Sequence, residues 1–290
     1  MIEQVVRDFL DDPKKNSLGG KFAAEKAWGT PLVGFSSGTD PLYLKLKEDI
    51  GEFYWTPIEV FSKTLPHSNA TADELTVVSW ILPQTEATKS DNRKQNKYVS
   101  ERWARSRVIG EQVNDSLRGH VVTRLREVGI EAMAPVMSPL FEERRSEKFG
   151  IASTWSERHV AFISGLGTFG LSDGLITAKG IAMRCGSVVA RIQLPPTTRP
   201  YEDHHEYCLF YTKKICARCM ARCPARAITN DGHDKDRCFA YMHPMMDDYA
   251  KTQFGLVAYG CGFCQVNVPC ESKIPTPDDL QQVSLRPEPR

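Results

Sequence analysis

Eight of the nine cysteines in the chain lie in one stretch of its last third. They are Cys208, Cys216, Cys219, Cys223, Cys238, Cys261, Cys264 and Cys270. Two residues separate Cys216 from Cys219, three separate Cys219 from Cys223, and Pro224 follows directly. Thiolates at such close spacing are ligands for iron–sulfur clusters or for zinc. This stretch therefore carries the strongest chemical signal in the sequence.

The spacing resembles the second half of the bacterial ferredoxin run, where the cysteine before the proline binds the other cluster of a two-cluster module. Two [4Fe-4S] clusters need eight thiolates, four for each cluster. This crossing rule assigns Cys208, Cys216, Cys219 and Cys270 to one cluster and Cys223, Cys238, Cys261 and Cys264 to the other. The run departs from the ferredoxin pattern at Lys213, which stands where a cysteine is expected. Cys208, eight residues before Cys216, would then have to supply the missing ligand.

Two other interpretations of the same cysteines stay open. Cys216 and Cys219 with Cys261 and Cys264 would make one tetrahedral zinc site from two pairs, leaving the other four cysteines without a role. Four disulfides would require an oxidising compartment, whereas the start of the chain shows no apolar signal segment. The cluster interpretation uses all eight thiols and predicts a cytoplasmic protein.

Composition excludes some classes of function. The chain has 290 residues and a formal net charge of +1. A balanced charge argues against a general polyanion binder, because non-specific binding to nucleic acid depends on neutralising many phosphates. No uninterrupted apolar run approaches the length needed to cross a bilayer. We therefore expect neither a membrane-spanning nor a nucleic-acid-binding protein.

The first part of the chain predicts alternating helices and strands. Apolar residues at helical spacing predict a helix that ends near Pro13, and Pro41 opens a second helix that stops at Gly51. The apolar run Val77–Leu82 is typical of a strand buried on both faces of a parallel or mixed sheet. Residues 84–97 are polar and predict a loop.

A long helix and a second strand follow. The helical period that starts at Ser100 ends at Gly129, and residues 130–137 predict a strand. Strand, helix and strand form a crossover unit, so the fold class is predicted to be α/β or α+β. The proline- and charge-rich residues 195–207 mark a domain boundary, and His204 and His205 within them are expected to be exposed. The predicted domains are residues 1–194, with a mixed sheet, and residues 195–290, ferredoxin-like with two [4Fe-4S] clusters.

A glycine-rich segment links these regions. A helix that begins at Ser156 is predicted to end at Gly165, the first residue of a GxGxxG sequence that runs to Gly170. The dinucleotide-binding version follows a strand, whereas this one follows a helix, which argues against a nucleotide site. Either a helix-to-strand turn or the close approach of a flat cofactor would use these glycines. Residues 171–194 predict a hairpin that contains Cys185 as a core residue.

Two stretches together resemble the catalytic core shared by epoxyqueuosine reductases and reductive dehalogenases. One combines TVVSWILP (residues 76–83) with SERWARSR (100–107); the other is ERHVAFISGLGTFG (157–170), which leads to GCGFCQ (260–265). The resemblance covers about residues 75–270. It implies a nitroreductase-like domain that binds a corrinoid base-off, and two clusters that relay electrons to cobalt. Gly165, Gly167, Thr168 and Gly170 would then border the corrinoid.

The resemblance has limits at particular residues. Epoxyqueuosine reductases carry an acidic proton donor six residues before the Glu-Arg pair, and that position here is Ile151. Isoleucine cannot supply a proton, which counts against that reaction. The tyrosine of dehalogenases is not placed by a motif, although Tyr98 and Tyr201 are candidates. The catalytic residues are therefore not predicted.

The sequence predicts an oxidoreductase that passes electrons through two [4Fe-4S] clusters to a bound cobalamin-type corrinoid. We expect a ferredoxin or flavodoxin as electron donor, and a small molecule or a corrinoid protein as acceptor. The alternative is a ferredoxin-like electron carrier or partner subunit that binds no corrinoid. A zinc-stabilised interaction protein is a third reading, which metal analysis would separate from the other two.

Overall fold

The computed structural model describes residues 1–282. The helices in this range are α1 (Ile2–Asp11), α2 (Leu42–Ile50), α3 (Pro57–Thr64), α4 (Glu86–Arg93), α5 (Glu101–Glu127), α6 (Glu157–Ile163), α7 (Leu209–Lys213), α8 (Arg218–Arg222), α9 (Lys235–Tyr241), α10 (Asp247–Phe254) and α11 (Asp279–Gln282). The strands are β1 (Leu32–Ser37), β2 (Leu75–Pro83), β3 (Ala132–Met133), β4 (Glu143–Ser146), β5 (Gly150–Ser153), β6 (Gly167–Phe169), β7 (Leu175–Thr177), β8 (Met183–Arg191), β9 (Ile228–Thr229) and β10 (Gly232–His233).

The chain folds into two compact units, and each unit is built from several segments. Unit 1 contains Met1–Pro83, Ile109–Leu166 and Arg184–Pro200. Unit 2 contains Gln84–Val108, Gly167–Met183 and the chain from Tyr201 onward. This division differs from a single cut after residue 194. The functional domains 1–194 and 195–290 remain a prediction, and residues 283–290 of the second lie outside the described range.

The core of unit 1 is a four-stranded sheet in the order β1-β2-β8-β3. β1 pairs antiparallel with β2, with Phe35 opposite Val78, and β3 pairs antiparallel with β8. Every residue of β2 is buried, as expected for a strand covered on both faces. Large side chains on this sheet, including Trp80, pack in one cluster with α1 and with Trp28.

The long helix α5 is confirmed almost to the residue, from Glu101 to Glu127. Its apolar residues from Val113 to Leu125 join the core cluster of unit 1. Asn114 fixes the register, because its side-chain oxygen accepts a bond from Trp80 Nε1 at 2.9 Å and its amide donates to the Cys185 carbonyl at 2.9 Å. A buried polar pair of this kind is stabilising only when fully satisfied, so it specifies one position of helix on sheet.

Two predicted strand features are wrong in detail. The strand expected over residues 130–137 is only β3, because Pro135 lacks the N–H that a ladder needs and opens a short 3-10 turn instead. The hairpin expected within residues 171–194 does not form as such. β7 pairs with β6, with Thr168 opposite Ile176, and β8 joins the four-stranded sheet.

Unit 2 consists of short helices and two-stranded sheets. The loop predicted for residues 84–97 is wrong, because α4 forms there with Thr85 as N-cap, its side chain accepting from the Thr88 N–H. The buried face of α4 is Thr88, Lys89 and Asn92. Since these residues are polar, α4 lacks the apolar period by which a helix is predicted from sequence. Among the helices of residues 1–282, none has the length and apolar character to span a membrane.

Candidate metal centre

All eight clustered cysteines lie in unit 2 and are free thiols. Short elements position them. Cys208 is the residue before α7, Cys219 lies within α8, Cys223 follows α8 directly, and Cys238 lies within α9. The remaining four, Cys216, Cys261, Cys264 and Cys270, lie in connecting loops and a single 3-10 turn.

Five of these cysteines surround one cavity. It is lined by Cys208, Cys216, Cys219, Cys264 and Cys270, together with the apolar side chains of Leu171, Ile176, Ile181, Phe210 and Val268 and the backbone of Gly170. The walls are almost wholly apolar apart from the sulfur atoms. A cavity of this composition offers soft sulfur ligands, which are the ligands of iron–sulfur clusters.

Within the first predicted ligand set, the thiols are electrostatic neighbours. Burial, followed by the nearby Cys208 and Cys216, raises the pKa of Cys219 to about 12. Burial, followed by Cys219, Cys208 and Cys216, raises the pKa of Cys270 well above its usual value. The thiols raise one another's pKa because two thiolates repel at short range. Cys270 lines the same cavity as the other three, although about fifty residues separate it from Cys219 in the sequence.

The second predicted set behaves in the same way. Burial, followed by Cys261 and Cys223, raises the pKa of Cys238 to about 12. Burial raises the pKa of Cys264 well above its usual value, and Cys261, Cys238 and Cys223 add to the effect. Cys219 of the first set also raises the pKa of Cys264, by more than Cys238 or Cys223 does. Cys264 lines the same cavity as Cys219, so the two sets adjoin there.

The loop between Cys261 and Cys264 is shaped by glycine. Gly262 has φ +63°, a conformation that other residues rarely adopt. A Cβ at this position would lie 2.0 Å from the indole of Trp103, which is 4% exposed. Asn92 of α4 donates to the Cys261 carbonyl at 2.9 Å. The loop therefore packs closely against buried Trp103 and is hydrogen-bonded to α4.

The loop that carries Cys270 is held by an ion pair between buried Glu271 and half-buried Arg93. Glu271 accepts two bonds from Arg93 Nε, at 2.9 and 3.0 Å, and one from the Asn267 N–H at 2.6 Å. The backbone N–H of Ile181 donates to the Cys270 carbonyl at 2.8 Å. Arg93 and Asn92 both come from α4, so sequence reasoning missed two residues that support the thiols. The sequence feature that could have predicted α4 is Thr85 followed by Glu86, because threonine is a common N-cap and an acidic residue is common in the first turn of a helix.

A buried arginine supports the second set. Arg222 is 4% exposed, and its Nε donates to the carbonyls of Phe263 and Val266 at 3.3 and 3.1 Å. These carbonyls flank Cys264 in the sequence. The guanidinium of Arg222 thereby fixes the backbone on both sides of that cysteine, next to its own neighbour Cys223.

The four glycine-segment residues predicted to border a corrinoid have contacts within the chain. Gly165 belongs to unit 1, and a Cβ there would lie 2.8 Å from the Thr198 carbonyl. A Cβ on Gly167 would lie 2.2 Å from the Ile176 carbonyl. Thr168 is fully buried, and its hydroxyl accepts from the Tyr207 N–H at 2.9 Å. Gly170 lines the cysteine cavity. Close packing of the chain on itself therefore accounts for the glycines.

The boundary histidines were predicted to be exposed, and this is wrong. His204 and His205 are half-buried in unit 2. His204 stacks on Phe169 at 4.3 Å between ring centres, and His205 stacks on Tyr211 at 3.9 Å. The histidines are half-buried because Phe169, in the strand β6 that pairs with β7, contacts this segment. The Phe169 N–H donates to the His204 carbonyl at 2.8 Å.

Three further residues singled out in the sequence have structural contacts. Cys185 is buried in β8, and burial raises the pKa of its thiol, as expected of a core cysteine. Tyr98 stacks on Tyr249 at 4.3 Å between ring centres. The hydroxyl of Tyr201, a buried residue, accepts from the Gly167 N–H at 3.2 Å. These contacts do not identify Tyr98 or Tyr201 as a proton donor to a substrate.

Comparison with solved structures places the fold. The catabolic reductive dehalogenase NpRdhA matches over 96% of this chain and 38% of its own, with 11% identity and a TM-score of 0.50. A single-residue variant of that enzyme matches over 97% of this chain and 38% of its own, with 12% identity and a TM-score of 0.51. This chain has the fold of a reductive dehalogenase. It spans less than half of that enzyme's length, and the low identity extends the likeness to fold alone.

Epoxyqueuosine reductase from Bacillus subtilis also matches, over 96% of this chain and 70% of its own, with 17% identity and a TM-score of 0.45. The recognised resemblance and the predicted mixture of helix and sheet are thus confirmed at the level of fold. No protein-family model and no curated protein matches the chain.

Proposed function

We propose that the chain is an iron–sulfur redox protein whose unit 2 holds two [4Fe-4S] clusters. One cluster would be bound by Cys208, Cys216, Cys219 and Cys270, and the other by Cys223, Cys238, Cys261 and Cys264. The supporting observation is that Cys208, Cys216, Cys219 and Cys270 line one cavity together with Cys264. Cys261, Cys238 and Cys223 are among the groups that raise the pKa of Cys264, which is consistent with the second set. Cysteine thiolate is also the ligand that such clusters require.

The chain's own residues suit this task. When bound, each cluster supplies a centre that accepts and releases one electron. The walls of the cysteine cavity around the first group of thiols are almost wholly apolar apart from the sulfur atoms. The Ala227 N–H donates to Cys223 Sγ at 3.3 Å, a contact that stabilises negative charge on that sulfur. Because Cys264 lines the same cavity as Cys219, unit 2 would offer a short path for electrons between the two clusters.

The acceptor of these electrons is a second question. The resemblance favours a bound corrinoid, but the four residues expected to border it do not form an open cradle, since Gly167 and Thr168 are occupied by contacts within the chain. We therefore derive no step through a corrinoid. This packing favours a second candidate function, an electron carrier or partner subunit that delivers electrons to another protein.

Metal analysis with matched variants tests the clusters. We expect about eight irons and eight sulfides per chain in protein purified without oxygen. Cys270→Ser should halve the content by removing the first cluster, and Cys238→Ser should halve it by removing the second. Cys185→Ser, a cysteine outside both groups, should leave it unchanged. Colourless protein containing zinc, or a Cys270→Ser variant with both clusters intact, would contradict the proposal.

Added cobalamin separates the two candidate functions. The anaerobic protein is mixed with cobalamin, desalted and examined by its visible spectrum. Cobalamin retained in an altered, base-off form supports a corrinoid-linked reductase. A spectrum that shows only iron–sulfur absorption supports the electron carrier.

A further inference from the structure

The segment around the first thiols has an unusual charge. Residues 209–230 contain five basic residues and no Asp or Glu, in a chain whose 37 basic and 36 acidic residues nearly cancel. We call residues 209–230 the basic segment. Arg222 is buried and used within the fold. Lys213, Lys214 and Arg226 are exposed and give the segment a positive surface.

The most exposed part of the basic segment lies directly before Cys216. Lys213 and Lys214 are exposed, and neither forms an ion pair with a carboxylate of residues 1–282. Lys214 Nζ lies over the rings of Phe210 and Tyr211, at 5.4 and 5.8 Å. Ile215 is 47% exposed. Two lysines and one apolar side chain are therefore presented to solvent beside a thiol of the first group.

The backbone at two of the basic residues is in an unfavourable conformation. Lys214 has φ +57° and Arg226 has φ +52°. Lys214 closes α7 at the position where glycine is usual, and a non-glycine residue there costs about 1 kcal/mol. No internal ion pair of Lys214 offsets this cost. The end of α7 requires this conformation but glycine would adopt it at lower cost, so a lysine here points to a role for the side chain at the surface.

We propose that Lys213, Lys214 and Ile215 form the docking surface for an acidic one-electron carrier protein of the ferredoxin or flavodoxin type. This inference rests on the proposed function, because the carrier would deliver electrons to the cluster held by the adjacent Cys216. One electron passes from the reduced carrier to the cluster, which oxidises the carrier by one electron and makes or breaks no bond. The positive charges steer the acidic partner, and Ile215 supplies the apolar contact.

A nucleic acid is the other polyanion that such a surface could attract. The observations favour the redox protein, because an exposed isoleucine lies next to the lysines and because the surface adjoins a thiol of the predicted cluster. Phosphate backbones are bound by many Lys and Arg residues together, whereas the chain as a whole has a net charge of only +1.

Stopped-flow reduction of the clusters tests the surface. Reduced flavodoxin is mixed without oxygen with the wild-type protein, the charge-reversed K213E/K214E and the control K14E/K15E. Lys14 and Lys15 are also adjacent and exposed but lie in unit 1, so the control changes the net charge equally. We expect K213E/K214E to slow reduction at low salt by about 10- to 100-fold, with the difference vanishing at high salt, and the control to stay within about twofold. Ile215→Ser should slow reduction at every salt concentration.

Two further measurements separate the possible failures. Photoreduced deazaflavin, a small reductant, should reduce the clusters of all variants equally. If it does so while K213E/K214E and K14E/K15E react alike with flavodoxin, the docking surface is wrong and the proposed function stands. If no cluster is present to be reduced, the proposed function itself fails. Binding of an RNA oligonucleotide that is lost in K213E/K214E, without any change in flavodoxin rate, would make the basic segment a nucleic-acid site and overturn the inference.

Discussion

Glu271 offers a sharp test of how the fold holds the Cys270 loop. Its side chain is 9% exposed and is bound twice by Arg93 Nε and once by the Asn267 N–H. The backbone on either side is tied down as well, because Ile181 donates to the Cys270 carbonyl and Ala182 to the Glu271 carbonyl at 2.8 and 3.2 Å. Opening of this loop should therefore require the Arg93–Glu271 pair to break.

We predict that Glu271→Gln weakens this loop by about 2–3 kcal/mol. Breaking a buried ion pair from one side costs about 3–5 kcal/mol. The lower value applies because Arg93 is 34% exposed and keeps its second partner, Glu86, at 2.7 Å. At about 1.4 kcal/mol for each factor of ten, the open state of the loop should become about 30- to 150-fold more populated.

Hydrogen exchange followed by mass spectrometry measures this opening. The amides of Ile181 and Ala182 should exchange about 30- to 150-fold faster in Glu271→Gln than in the wild-type protein. Glu86→Gln is the matched control, because it removes the other carboxylate of the same arginine from a site that is 67% exposed. A surface pair is worth at most about 1 kcal/mol, so the control should change exchange less than about fivefold. Equal effects of the two variants would refute the reasoning.

Three other substitutions test particular contacts in the two units. Gly167→Ala should lower the melting temperature, because its Cβ would lie 2.2 Å from the Ile176 carbonyl and force β6 away from β7. A Cβ on Gly119 in α5 would meet nothing within 4 Å, so Gly119→Ala should stabilise the helix by about 1 kcal/mol. The opposite order of the two melting temperatures would contradict this packing. Burial raises the pKa of Glu157 although Arg118 lies 3.2 Å away, so its contribution to stability is full below its unfolded pKa of about 4.3 and is lost as pH rises through the folded pKa. The wild-type protein should therefore exceed Glu157→Gln in urea midpoint by more at pH 4 than at pH 8, and a difference independent of pH would show that Glu157 does not titrate in this way.

Features with a regular pattern were predictable from the sequence. The long helix α5 and the buried strand β2 each repeat one physical requirement over many residues, burial on one face or on both. Cysteine spacing is informative for a different reason, because a cluster needs four thiolates and neighbouring ligands are supplied at short, fixed separations. These signals led to the correct fold, and five of the eight clustered cysteines line one cavity; the division into two ligand sets stays a prediction.

Features that depend on polar contacts were not predictable. The buried face of α4 is polar because its partners are a carbonyl at Cys261, a hydroxyl at Ser272 and a carboxylate at Glu271, all distant in sequence. A helix that is buried through hydrogen bonds has no apolar period, so its sequence resembles that of a loop. Such elements can be recognised only when the partners are known.

The glycine segment shows why a motif needs a steric test before it is assigned a ligand. The GxGxxG sequence is compatible with a turn and with a cofactor site, since both need backbone positions without a side chain. What distinguishes them is the group that fills the space of the absent Cβ: at Gly167 it is the Ile176 carbonyl of the partner strand, 2.2 Å away. An alanine there is excluded by the fold itself, whatever the protein binds. The requirement for glycine at this position is therefore explained by the β6–β7 pairing without any ligand.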